Sequence, residues 1–360
     1  MPNRRKLLLA AGLSSCALPC VQAARQPKQP HVVVIGAGGA GLAAAAEAAR
    51  CGALVTVLEK QNAVGGDTLI SGGFYAAVDP KRQIPQGISD SIERFTADIL
   101  ESGGDKSDPR LAQILARGAG AMLEQLESLG MRFQPDVIEI YGAHWPRCHK
   151  PMMPNGVGYI QALHSEALRR GAQIRTNCQV TGLILNPAGN VSAVRYTSHK
   201  KIYKMRANAV IIASGGFGAN TKMVARYQPK LAMLTTDNTP GSTGEMLEIA
   251  VRDCRAKLID MAEIQCLPGC PADRKHRVRL HNDVSRFIFV DPSGRRFCRE
   301  DERRDVLRDT VLSLPGGIAY SITDAAGLRS YDILIQKEAV LGVETGDAWS
   351  SSTLEGLAKM

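Results

Sequence analysis

The sequence predicts an α/β fold, a Rossmann-like dinucleotide-binding domain joined to an α+β domain, and three observations carry that prediction. Residues 31–60 read strand, glycine turn, helix, strand: HVVVIG runs into Gly36, Gly38 and Gly41 (G-x-G-x-x-G), and a second apolar strand ends at Glu59. Residues 210–216, VIIASGG, read as a buried strand entering a second glycine turn. From about residue 226 the chain mixes short helices and strands and carries more charge, the pattern of a separate domain lying over a cofactor.

Each element has a physical reason. A dinucleotide needs room for its pyrophosphate, a helix N-terminus to face it, and an acid for a ribose. Gly36 permits the tight turn, Gly38 lets backbone approach phosphate, and Gly41 lets helix 39–50 pack closely on the strands. Glu59 stands where a ribose hydroxyl pair is accepted. Residues 64–73 (VGGDTLISGG) form a loop of small residues where backbone can lie against a ligand. Helical spacing over 89–101 (Ile92, Phe95, Ile99) and 109–129 (Leu111, Leu115, Met122, Leu126) predicts two core-facing helices. Segment 141–156, with three prolines and two histidines, reads as irregular. Helix 157–170 and strands near 173–176, 179–185, 191–197 and 202–206 follow. The turn after Val210–Ile212 lies at a strand's carboxyl end, where open α/β sheets bind ligands. The dinucleotide-binding domain therefore spans 31–225 and the second domain 226–360.

At 360 residues the chain is long enough for two domains. Its net charge is +9, and no run of interleaved basic and aromatic residues supports a nucleic-acid partner. Residues 1–23 read as an export signal that looks like the twin-arginine type, with Arg4-Arg5, an apolar stretch at Leu7–Leu18 and a small-x-small site at Val21–Ala23; a plain secretory signal and a lipoprotein cleavage site at Leu13–Cys16 are the alternatives. That places the mature chain in the periplasm or otherwise outside, at a charge of about +6, with no membrane span. The apolar stretch is too short to span a bilayer. Of nine cysteines, Cys16 and Cys20 fall in the signal; Cys266 and Cys270 are a close pair for which a disulfide is open. No C-x-x-C-H haem motif and no zinc spacing occurs, so no metal site is expected.

Taken together, VVVIGAGGAGLAAAAEAA, TVLEK, GGDTLISGG and VIIASGGFGAN resemble the flavoprotein family of fumarate reductases and succinate dehydrogenases. The likeness runs from about residue 31 to 350 and is nearest to the soluble, exported branch of flavocytochrome c and urocanate reductases. It implies an FAD-binding domain of glutathione-reductase type with an inserted capping domain. The implied FAD contacts are Gly39, Ala40, Glu59, Lys60, Gly66, Asp67, Thr68, Ser71, Gly72, Gly73, backbone near Val180, the turn Ala213-Ser214-Gly215, and Glu245. Asp67 stands where the family has Asn, and Glu245 where it has the Asp of a T-G-D-G turn. Gly66 occupies the position of the histidine that respiratory members join covalently to flavin, which implies non-covalent FAD.

The family transfers hydride from flavin to a carbon–carbon double bond beside a carboxylate while an arginine delivers the proton. Register against its G-K-R-F-V-N-E…R-D motif places that acid at Arg304, within GRRFCREDERRD (294–305). The other arginines of the run, Arg295, Arg299, Arg303 and Arg308, read as a solvated helix face. The family's substrate histidine becomes Leu267, its Thr-Glu pair becomes Arg279-Leu280, and its relay arginine becomes Asp283. Fumarate is therefore disfavoured. Arg279 and His281 are candidates to contact a small anionic substrate of another shape, and Asp283 to reload Arg304; the alternative is that 273–286 is a variable basic loop. Electrons are expected from a separate donor such as a c-type cytochrome. The family continues beyond the position of Met360, so the resemblance implies a C-terminally truncated chain or a second polypeptide that completes it. Two other readings stand beside an enoate reductase: a flavin-binding fragment without activity of its own, and a dehydrogenase acting beside a carbonyl. No tyrosine pair matches the latter.

Overall fold

The computed structural model describes residues 29–140, 142–269, 276, 278–281 and 283–360. The expected export signal, and Cys270 of the possible disulfide, lie outside the described residues. The strands are β1 (His31–Ile35), β2 (Leu54–Leu58), β3 (Tyr75–Ala76), β4 (Phe133–Ile138), β5 (Cys148–Pro151), β6 (Gln173–Arg175), β7 (Gln179–Leu185), β8 (Val191–Ser198), β9 (Lys201–Arg206), β10 (Ala209–Ile212), β11 (Phe287–Val290) and β12 (Tyr320–Thr323).

The central sheet is parallel, in the order β10-β1-β2-β6. Both its faces are covered, so β1 and β2 are near-continuous apolar runs rather than alternating ones, broken only by His31 and Thr56, which bond each other; Val33, Val34 and Val57 have no exposed surface. The helix Gly39–Arg50 connects β1 to β2. Because β1 pairs with β2 on one side and β10 on the other, its carboxyl end is a topological switch point. On the opposite face lies the antiparallel meander β7-β8-β9. Val33, Ile35 and Leu58 share one core cluster with Val180, Val194, Met246 and Ile249. The last two belong to the helix Glu245–Cys254. This helix, beyond the expected boundary at 225, packs with the same core because its apolar face is buried on β7.

The segment expected to be irregular, 141–156, contains β5, the middle strand of the sheet β3-β5-β4. Partners distant in sequence hold it. Buried Arg147 pairs with Asp90 and Asp98 at 2.9 and 2.5 Å, and His149, with no exposed surface, lies 3.2 Å from Asp79. Pro151 is tolerated because it lies where the β4–β5 register shifts between Phe133 and Val137, so the ladder is interrupted beside it.

The two expected helices form as Ile92–Ser102 and Pro109–Ser128, each begun by a side chain accepting from backbone, Ser91 from Arg94 N–H and Asp108 from Arg110 N–H. In the second, the buried face is not the expected one. Leu111, Leu115 and Met122 point outward, at 66, 55 and 37% exposure, while Ala112, Ala116, Ala119, Leu123 and Leu126 are buried. Small residues win the inner face because the backbone approaches closely: a Cβ on Gly120 would lie 3.1 Å from the Val78 carbonyl oxygen. Beyond Cys254, the cap carries the antiparallel pair β11-β12 and the helices Arg304–Ser313 and Ile333–Thr345. Among the described residues no helix is long and apolar enough to cross a membrane.

The corrected face is testable. Leu123→Ala is expected to cost about 2–5 kcal/mol, and Leu115→Ala no more than about 0.5 kcal/mol. Thermal melting of the two variants measures the difference.

Candidate functional site

At the switch point the glycines are required by the chain's own backbone. Gly36 has φ +102°, and a Cβ there would lie 2.4 Å from the Ala213 carbonyl oxygen. A Cβ on Gly41 would lie 1.9 Å from the Gly36 carbonyl oxygen. Gly38 differs: its nearest neighbour would be the Gly65 oxygen at 3.7 Å, an ordinary contact. Its bareness therefore serves something outside the chain's own packing. Gly38 is also the N-cap of the Gly39–Arg50 helix and gives no side-chain cap, so the first turn leaves the N–H groups of Ala40 and Gly41 without an intrahelical partner. Gly39 N–H donates to Thr68 Oγ1 at 3.1 Å, which fixes the 66–70 turn against the helix start. Gly65 pairs with Gly38 as an isolated bridge, and Gly66 has φ +50°, with ordinary room beside it, since a Cβ there would lie 3.8 Å from Gly38 Cα.

Glu59 is 8% exposed, and its carboxylate accepts from Ala37 N–H and Gln61 N–H, both at 2.8 Å. It lines a cleft with Gly36, Lys60, Val180 and Ser214, so predicted cofactor residues from four separate stretches converge on one space. Lys60 Nζ donates to Glu245 at 2.7 Å and to Thr243 Oγ1 at 2.8 Å. Burial alone would raise the Glu245 carboxyl; the bonds from Lys60 and Thr243 outweigh it and hold it below the usual range. The Ala213–Gly215 turn is tied to β1 by Ala213 N–H donating to Ile35 O at 2.8 Å, with Gly215 at φ +75°.

Asp67 faces donors only. It accepts from Thr239 N–H at 2.7 Å, Thr239 Oγ1 at 2.8 Å, Asn238 Nδ2 at 2.9 Å and the Ser242 hydroxyl. The carboxylate thus braces the 238–242 segment against the 66–70 turn. Gly72 is exposed. Gly73 is buried at φ +76°, where a Cβ would lie 2.1 Å from the Asn155 carbonyl oxygen; Ser71 Oγ accepts from Gly73 N–H at 3.3 Å, and Tyr159 Oη donates to Gly73 O at 2.7 Å. The ring of small residues at 36–41, 65–66, 72–73 and 213–215, with a helix N-terminus and Glu59, fits FAD.

The cap residues are placed as follows. Arg304 is the first residue of its helix; the expected helix over 295–308 begins only there. Its half-buried stem lies against Gly142, where a Cβ would be 3.1 Å from Arg304 Cγ. Its charge also reaches Cys148, whose thiol burial pushes up to about 12 against the pull of Arg147 and Arg304. Arg299, Arg303 and Arg308 form local ion pairs with Asp301, Asp305 and Asp309. Arg295 and Arg299 are exposed, while Arg303 and Arg308 are half-buried. Asp283 bridges to Ile140, two residues from Gly142, so Asp283 and Arg304 meet the same short segment. Its Oδ1 accepts from Ser285 N–H and Oγ, at 3.0 and 2.7 Å. His281 is buried between Phe287 and Phe289, ring centroids 6.2 and 5.9 Å away. Arg279 is buried and bonded to Glu338 and Asn155.

Sequence reading missed Asn155, Glu338 and Lys150. Asn155-Gly156 before a helix is a signal for a left-handed turn, and Asn155 has φ +55°. Glu338 carries no such signal, being one acid on a helix. Lys150, half-buried on the same face of β5 as Cys148, has its ammonium pulled down by burial, opposed by Asp332 and Asp283.

The donor-only surroundings of Asp67 make a prediction. Asp67→Asn brings an NH2 group against donors and should cost about 1–3 kcal/mol at neutral pH. Burial raises the Asp67 carboxyl, but the bonds from Ser242, Asn238 and Thr239 leave it lowered. Its stabilisation is therefore complete above the ordinary carboxylate value and lost as pH falls through the lowered one. Melting curves of both proteins should begin to converge as pH falls below about 4, and meet only once it has passed the lowered value.

Known proteins bear on this geometry. The model of the family described as FAD binding domain matches residues 31–334. Urocanate reductase of Eggerthella lenta is 36% identical over 314 residues, 84% of this chain and 51% of the relative. Fumarate reductase (cytochrome) of Shewanella frigidimarina is 31% identical over 338 residues, 92% of this chain and 58% of the relative. Among solved structures, the open conformation of a flavocytochrome c3 fumarate reductase superposes with a TM-score of 0.71 at 30% identity, over 94% of this chain and 59% of that one. The chain spans about half the length of the curated relatives it matches. On these matches the chain belongs to the FAD-binding domain family of flavoproteins that includes the fumarate and urocanate reductases.

Proposed function

We propose that this chain is the FAD-binding and proton-donating part of an exported oxidoreductase that reduces the carbon–carbon double bond of an unsaturated carboxylic acid. The observation that carries the reading is the pairing of a complete glycine-and-Glu59 cradle with Arg304, which the cap sets against the 142–148 segment of the FAD-binding unit. The relatives named as fumarate and urocanate reductases, whose substrates are both unsaturated acids by name, support the substrate class.

In this reading the Gly39–Arg50 helix start faces the pyrophosphate and Glu59 takes the ribose hydroxyls. Gly66 offers no atom for a covalent link, which supports FAD held non-covalently. Bound FAD supplies the hydride. Arg304 holds a proton on its guanidinium and keeps fixed positive charge where the substrate gains negative charge. Asp283, which bridges to Ile140, is the acid we take to return a proton to Arg304. We take the mature protein to act outside the cytoplasm and to receive electrons from a separate donor such as a c-type cytochrome, which the cytochrome-named relative supports. The half-length match leaves room for a second polypeptide that completes the substrate site.

The test is oxidation of a reduced viologen by the purified chain against a panel of unsaturated carboxylic acids. Arg304→Ala should lower turnover by about 10²–10⁴-fold with bound flavin unchanged. Turnover retained in Arg304→Ala removes Arg304 from the chemistry. Reduction of an oxidising dye in place of viologen consumption would favour the dehydrogenase direction.

A further inference from the structure

Arg279 carries a role other than gripping substrate, one that rests on reading Gly73 as part of the flavin-facing turn. Its mounting belongs to the cap. Val278 fills the space beside Gly342 of the Ile333–Thr345 helix, where a Cβ would meet Val278 Cγ2 at 2.5 Å. Leu280 O accepts from Ser321 Oγ at 3.0 Å and Tyr331 Oη at 3.2 Å. Between these anchors the guanidinium makes a two-pronged pair with Glu338 of the same helix, Nε to Oε2 at 2.9 Å and Nη2 to Oε1 at 2.5 Å.

The remaining bond leaves the cap: Arg279 Nη1 donates to Asn155 Oδ1 at 3.3 Å. Asn155 is held at φ +55°, and its carbonyl oxygen occupies the space a Cβ on Gly73 would need, 2.1 Å away. A continuous line of contacts therefore runs from the cap helix through Glu338, Arg279 and Asn155 to the Gly73 turn. The charge around Arg279 does not suit a substrate anion. Glu338 already takes its fork, and Asp332 and Asp237 act on it as well, so that these acids outweigh burial and raise the guanidinium further.

We propose that Arg279 is a positioning residue, a latch by which the cap holds Asn155 and, through it, the Gly73 turn in register for the flavin.

Two variants permit the same local backbone conformation, and Glu338→Gln, which leaves the Asn155 backbone untouched, decides if the two differ. Asn155→Gly keeps the left-handed conformation and deletes only the side-chain bond; Glu338→Gln keeps the shape and removes the charge. In the full chain without FAD, amide hydrogen exchange at residues 73–75 should quicken about tenfold in both, although Glu338 lies in the cap. With FAD added, both should bind it about tenfold more weakly and alter flavin fluorescence. The exchanged pair Arg279→Glu with Glu338→Arg should recover most of what Arg279→Glu alone loses, since the Asn155 amide can turn to donate. Unchanged exchange at 73–75 in Asn155→Gly and Glu338→Gln overturns the latch, as does a double variant no better than Arg279→Glu. A wild-type chain that takes up no FAD would overturn the flavin reading instead, and the exchange measurement would still decide the latch.

Discussion

The structure depends on one close approach of backbone to backbone. Gly41 packs its Cα against the Gly36 carbonyl, and Gly36 packs against Ala213, at separations where any Cβ would fall within 1.9–2.4 Å of an oxygen. That contact locks β1, the following helix and β10 together at the carboxyl end of the sheet. The helix start is thereby aimed at the space between β1 and β10, and Glu59 and Ser214 are brought to the same cleft. Bulk at either glycine would separate the three elements and dismantle the cradle.

Around that point, acids serve as braces. Asp67 gathers the donors of 238–242, Glu245 takes Lys60, and Glu338 takes Arg279. Each joins segments more than fifty residues apart in sequence. Because each is at least partly withdrawn from water, removing one partner leaves a charge or donor with costly surroundings, which makes these pairs specific to one arrangement of cap and FAD-binding unit. Hydrogen exchange and melting curves thus report on the same braces that shape the site.

The sequence made much of this legible. The β1–helix–β2 unit, the glycine positions and the strands at 179–185 and 191–198 are visible because local period and turn chemistry determine them. The inner face of the Pro109–Ser128 helix was not legible. Leu111 and Leu115 look like core residues by spacing, yet the closeness of Gly120 to Val78 selects the alanine face. β5 was hidden for a different reason: Asp79, Asp90 and Asp98, which hold it, lie fifty to seventy residues upstream. Arg279 shows the same limit at the site, since its spacing marks a basic residue in a cap loop while its partners Glu338 and Asn155 emerge only on folding.

The central claim, a non-covalent FAD cradle, is tested most directly by precipitating the purified, FAD-reconstituted chain with acid and recording the supernatant spectrum. The account predicts a yellow protein whose flavin appears entirely in the supernatant, with Gly41→Ala colourless from the start. A wild-type chain that stays colourless with FAD, or flavin that remains in the pellet, would contradict it.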